Sequence, residues 1–290
     1  MAEPSTPERQ RPMRHWPAQL RLAFEASARR TLMRRLGAHG PLYVQRPFYP
    51  EGETCHTILL HPPGGVAGGD ELCIDVSAGP QSKSLITTPA ATKFYRSNGF
   101  DAGCEQQLRL AAGACCEWLP LENLVFDGAR VRSRLRVELA AGARFLGQEV
   151  WGLGRPARGE RFECGQLAQR FQLTVAGRPL LTEQLVLDGG DVLARSPWGL
   201  NGQDAFGALY AYPVDREFAT AQARRDGAAQ AWGARSCGTR IAQSWVDELL
   251  IVRGTSTSLE ALRRCLEREW VALRPHVIGL SAMRPRIWNT

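Results

Sequence analysis

The chain has 290 residues, 44% of them hydrophobic, with a formal net charge of +7 and eight cysteines. That length suits one large domain or two small ones, able to bury about 75% of the unfolded surface. The positive charge sits almost wholly on arginines scattered through every segment, with Lys83 and Lys93 the only lysines. Such dispersal argues against the clustered footprint of a nucleic-acid binder and leaves a solvated surface that favours acidic partners.

In chain order, the first segment is Pro- and Arg-rich without periodicity, so Met1 to Trp16 is expected to be a disordered tail. It lacks the apolar run of a signal peptide, and no later run approaches the ~18 apolar residues of a membrane span. The cysteines include no C-x-x-C pair, and Cys115-Cys116 are adjacent, so they do not form a disulfide framework. A reduced, cytoplasmic protein with cysteines as small core residues is the expectation. From about Trp16 to Val192, short alternating runs recur with Gly, Pro or Asp punctuation, the all-β pattern. Leu167 to Asp188 predicts a hairpin. Leu167, Phe171, Leu173 and Val175 share one parity, Ala176-Gly177-Arg178 forms the turn, and Leu181, Leu185 and Leu187 resume the alternation. A helix is expected within Asp215 to Trp232, then a strand over Ile241 to Val252. A second helix has Thr257 and Glu260 as its capping box and Leu259, Leu262, Leu266 and Trp270 on one face, with Pro275 barring continuation. No internal repeat is evident. The whole of 17–290 reads as a single β-rich domain.

The segment His61-Pro62-Pro63-Gly64-Gly65-Val66-Ala67-Gly68-Gly69-Asp70 invites a phosphate-loop reading. A P-loop requires Gly-Lys-Ser/Thr after its spacer, whereas here Gly69 leads into Asp70 and Glu71; the dinucleotide spacing G-x-G-x-x-G is also missing. The glycines instead indicate positive φ or close approach of other groups.

Metal ligands are the next test, because Cys55, His56 and His61 lie close in sequence. In an extended segment Cys55 and His56 point to opposite faces, and Cys55 and His61 are about 20 Å apart. The run therefore cannot close around an ion by itself. Either Cys55 is packed and His56 hydrogen-bonded, or one of them makes a transient metal contact with a distant ligand. Two carboxylates fall on apolar parity: Glu149 with Phe145 and Trp151, and Glu183 with Leu181, Leu185 and Leu187. A carboxylate on a buried face costs several kcal/mol unless paired, hydrated or bound to a cation. They either pair with arginines or line a hydrated interior passage, where oxygen ligands hold a divalent cation loosely. No nucleophile has a local motif implying a base, so no catalytic constellation emerges. Phe48, Tyr49, Phe94, Tyr95 and Trp288 fall in loop-like segments, where they either pin turns or contact a partner.

Gly40 to Asp70 (GPLYVQRPFYPEGETCHTILLHPPGGVAGGD) closely resembles the urease accessory UreD family, called UreH in some bacteria. The likeness continues through TPAATKFYRSNG (Thr88 to Gly99), EWLPLENLVFDGA (Glu117 to Ala129), LGRPARGERFECG (Leu153 to Gly165) and PRIWNT (Pro285 to Thr290). Leu121 replaces a glutamine usual in the family, and Ala67 a valine or isoleucine. The resemblance implies stacked sheets with β-helix character and a non-enzymatic role as nickel-insertion scaffold. It implies a link between the urease apoprotein, UreABC, and UreF, which in turn recruits the GTPase UreG, with dimeric assembly through UreF. Nickel would be in transit with no tightly bound cofactor, passing along an internal route to which the resemblance assigns Asp70, Glu149 and Glu183. Thr92, Cys55 and His56 are weaker candidates. The alternatives are a carboxylate-dependent hydrolase and a purely static scaffold.

Overall fold

The computed structural model describes residues 16–215 and 238–289. Seventeen strands carry most of the described residues. They are β1 (Trp16–Ala26), β2 (Thr31–His39), β3 (Tyr43–Val44), β4 (Cys55–Leu60), β5 (Asp70–Ala78), β6 (Lys83–Thr87), β7 (Thr92–Phe94), β8 (Ala102–Leu110) and β9 (Cys115–Leu119). β10 (Asn123–Val125), β11 (Arg130–Leu139), β12 (Arg144–Leu153), β13 (Gln166–Val175), β14 (Arg178–Asp188), β15 (Ala205–Tyr212), β16 (Thr239–Val246) and β17 (Leu249–Ser256) follow. A helical turn α1 (Val192–Arg195) and a long helix α2 (Leu259–Val277) complete the described elements, with a short 3-10 turn in each of the segments after β12 and α2.

The strands form two sheets. The first runs β14-β13-β11-β8-β5-β1-β2, and the second β16-β17-β15-β12-β9-β6-β4-β3, with β7 and β10 attached through β12. The architecture is mainly β and solenoid-like. The chain passes from β5 to β6 to β7, again from β8 to β9 to β10, then from β11 to β12, and equivalent strands stack in parallel. The coil has a short repeat in the sequence: Leu110-Ala111-Ala112-Gly113-Ala114 recurs as Leu139-Ala140-Ala141-Gly142-Ala143. Both glycines take positive φ, 70° and 75°, at the corner between the sheets. Alanine on either side lets successive corners stack, with Ala111 N donating to Ala78 O and Ala140 N to Leu110 O.

Alternation is clean where one face meets water. β11 buries Val131, Leu135, Val137 and Leu139, while Arg130, Arg132, Arg134 and Arg136 face outward beside Asp101, Glu71 and Glu105. β12 is buried along both faces, because α2 covers the side of the second sheet turned away from the first. Leu146 and Val150 pack there with Leu262, Leu266 and Trp270, while Phe145 and Trp151 face the first sheet.

The hairpin is observed as β13 and β14, and Ala176 (φ 49°) and Gly177 (φ 78°) turn the chain. Trp16, expected in the tail, opens β1 and donates its N–H to Gly69 O; residues 1–15 lie outside the described set. The single strand expected over Ile241 to Val252 is two, β16 and β17, folded about Asp247 at φ 49°. The helix expected within Asp215 to Trp232 lies outside the described residues beyond Asp215. The last helix differs at both ends. Ser258, not Thr257, is its N-cap, accepting from Ala261 N at 3.3 Å. Pro275 lies inside the final turn, and the helix continues to Val277. Proline there forfeits one hydrogen bond, which burial of Leu273 and Val277 offsets.

Arg274 explains how that turn is held. Its side chain is 0% exposed and donates to Glu117 and Glu51, and to the carbonyl of Ser281. Trp270 Nε1 donates to Glu117 at 2.8 Å, and Glu51 Oε2 lies 2.6 Å from His56 Nε2. This buried network ties α2, β9, β4 and the loop before β4 together.

Candidate functional site

The interior face between the sheets becomes polar at one end. In the first sheet, Cys104 on β8, Ser133 on β11 and Gln169 on β13 are register neighbours. Opposite them, β12 places Glu149, only 5% exposed, with its carboxylate accepting from Gln169 Nε2 at 2.8 Å. Among the described residues no cation pairs with Glu149. Burial raises its pKa from 4.5 to about 7, with the Gln169 hydrogen bond opposing the rise. Burial likewise pushes the Cys104 thiol up to about 12, so it is a neutral lining group.

Tyr210 of β15 is bonded to Glu183 and lies close enough to Glu149 to feel its charge. Its ring stacks on Phe171 at 3.8 Å between centroids, and its hydroxyl donates to Glu183 Oε2 at 2.9 Å. Burial, with the charge of Glu149 nearby, raises the Tyr210 pKa well above its ordinary value, so the hydroxyl stays a donor. The other Glu183 oxygen accepts from Arg253 of β17, whose second Nη donates to Ser244 of β16. The acidic track thus comprises a partly exposed carboxylate at the sheet edge, the phenol bonded to it, and a separate buried carboxylate near enough for the phenol to feel its charge. Trp151, farther along β12 between Phe94 and Phe206, has a buried Nε1 with no protein partner among the described residues.

The remaining candidates lie elsewhere. Asp70 begins β5 and accepts from Ala67 N at 2.8 Å, closing the glycine loop, with His61 close enough to feel its charge. It has no bond to Glu149 or Glu183. Thr92 lies on β7, beside Asn123 of β10 in register. Cys55 is buried with its Sγ 3.7 Å from Thr57 Oγ1, and His56 is engaged by Glu51. Among the described residues no group of three or more His, Cys, Asp or Glu side chains forms a metal cluster. The glycine loop serves packing. A Cβ on Gly65 would lie 2.3 Å from the Tyr95 ring, and one on Gly68 would lie 2.6 Å from Phe100 O, while Gly64 and Gly69 take positive φ.

Sequence parity located the two glutamates but missed Gln169, Tyr210 and Arg253. The available signals were a tyrosine in the small-residue strand Ala205-Phe206-Gly207-Ala208-Leu209-Tyr210 and a lone arginine after Leu250-Ile251-Val252.

Residues 17–289 match the family model described as UreD urease accessory protein. The chain belongs to the UreD family. It is 43% identical over 275 residues to a protein of Alkalilimnicola ehrlichii, covering 95% of this chain and 92% of that one. A Klebsiella aerogenes protein is 42% identical over 277 residues, covering 95% and 97%. One from Dechloromonas aromatica is 40% identical over 280 residues, covering 95% of each. All three bear the name urease accessory protein UreD. The described UreD-family chain contains no helix long and apolar enough to cross a membrane.

Proposed function

We propose that this chain is a non-catalytic urease maturation factor of the cytoplasm that passes nickel to the urease apoprotein. The observation carrying this reading is Glu183 bonded to Tyr210, with the buried Glu149 on the facing sheet near enough for Tyr210 to feel its charge. Carboxylate and phenol oxygens bind a divalent cation weakly enough to release it, which suits transfer. Glu149 is half protonated near pH 7, so taking up a cation releases a proton, and reprotonation favours its departure. The orphaned Trp151 Nε1 supports an interior that admits water. Asp70 extends the route at the glycine loop, with Thr92, Cys55 and His56 as lesser contacts. Family membership supports docking to the urease apoprotein and to UreF, with UreG recruited through UreF.

The test is the nickel content and activity of urease from cells lacking this chain. Wild type is expected to restore both, and Glu149→Gln or Glu183→Ala to leave urease nickel-poor while the assembled complex still purifies. Full restoration by both variants refutes the passage and leaves a static scaffold. A carboxylate-dependent hydrolase would instead show turnover by the purified chain that both variants abolish.

A further inference from the structure

The outer end of the acidic track is blocked by a cation belonging to the chain itself. Glu183 is the candidate nearest the edge of the first sheet, with its side chain 29% exposed, and Arg253 beside it is 43% exposed. One Glu183 oxygen accepts from Tyr210 and the other from Arg253, so an incoming ion meets a carboxylate that is already neutralised. Arg253 occupies the parity of Leu249 and Ile251, both fully buried toward the first sheet. Its register neighbours are Ala208 on β15 and Ala242 on β16. Both neighbours carry short side chains, and Ser244 offers a neutral acceptor on its far side.

We propose that Arg253 is a gate: its guanidinium holds Glu183 closed to divalent cations and must swing away before the ion can enter. This deepens the passage reading and rests on it. Within a few ångströms a guanidinium and a divalent cation repel, and both cannot occupy the same carboxylate oxygen. Glu183 therefore binds one or the other. The arrangement keeps adventitious cations out of the track until a docked partner supplies a competing carboxylate or carbonyl for Arg253.

The experiment titrates nickel(II) into the purified full-length chain by calorimetry. Arg253→Gln, which keeps a neutral donor toward Glu183, is expected to bind nickel about tenfold tighter than wild type. Arg253→Met should do the same, and either one suffices should the other fail to fold by thermal melting. Arg253→Lys retains the charge and should bind as wild type does. Adding Glu183→Gln to the Arg253→Gln chain should abolish the gain. Unchanged affinity in Arg253→Gln, or a gain that survives Glu183→Gln, overturns the gate. If affinity is unchanged while Glu183→Ala still leaves urease nickel-poor, the gate falls and the passage stands. If Glu149→Gln and Glu183→Ala both restore urease fully, the passage falls and the gate falls with it.

Discussion

Replacing Glu149 with glutamine should stabilise the protein, and by an amount that depends on pH. The carboxylate is 5% exposed, has one amide donor, and has no cation partner among the described residues. Its pKa rises from 4.5 to about 7 on burial. At about 1.36 kcal/mol per pH unit, that difference corresponds to about 3 kcal/mol between the neutral and ionised forms. The folded state binds this proton more tightly than the unfolded state does. Its favourable contribution is therefore fully present below pH 4.5 and is lost as pH rises through about 7. Glutamine keeps an acceptor for Gln169 and never ionises. Relative to wild type, Glu149→Gln should therefore gain about 2.5 kcal/mol on going from pH 5 to pH 8. Urea denaturation of both chains across that range, with slopes compared to verify two-state unfolding, reads the difference directly. A stability difference that stays flat within about 0.5 kcal/mol would refute the reasoning, because Glu149 would then be solvated or paired.

The buried network around Arg274 makes a complementary prediction. Arg274→Met leaves Glu51 and Glu117 facing each other without their guanidinium, which should cost about 3–5 kcal/mol in urea denaturation. A loss below about 1 kcal/mol would show that the two carboxylates take up protons or water without penalty. In the glycine loop, Gly68→Ala places a methyl 2.6 Å from both Asn98 Oδ1 and the backbone oxygen of Phe100. The side chain can yield but the backbone resists, so a loss of about 1–3 kcal/mol is expected in the same assay. Unchanged stability would mean that the loop relaxes freely around its glycines.

The β character, the hairpin from β13 to β14, the face of the last helix and the inward parity of Glu149 can all be read along the chain. Each of these is local, set by a period of two or 3.6 residues and by turn chemistry within a few positions. The N-cap at Ser258 rather than Thr257 and the turn at Asp247 are also local, but at the helix start two adjacent hydroxyl residues compete for one role. The conclusion that the chain belongs to the UreD family was legible too, because its motifs span nearly the whole length. Which polar groups meet follows from the folding of distant segments onto one another. Trp270 and Glu117 are 153 residues apart, and Arg253 and Glu183 are 70 apart. Parity places a side chain on a face, but the solenoid stacking and the closure of β15 and β17 onto β12 decide what that face confronts. For Glu183 the answer is a tyrosine and an arginine; for Glu149 it is a single amide. That difference in surroundings, invisible along the chain, separates a carboxylate held ready for a cation from one already occupied.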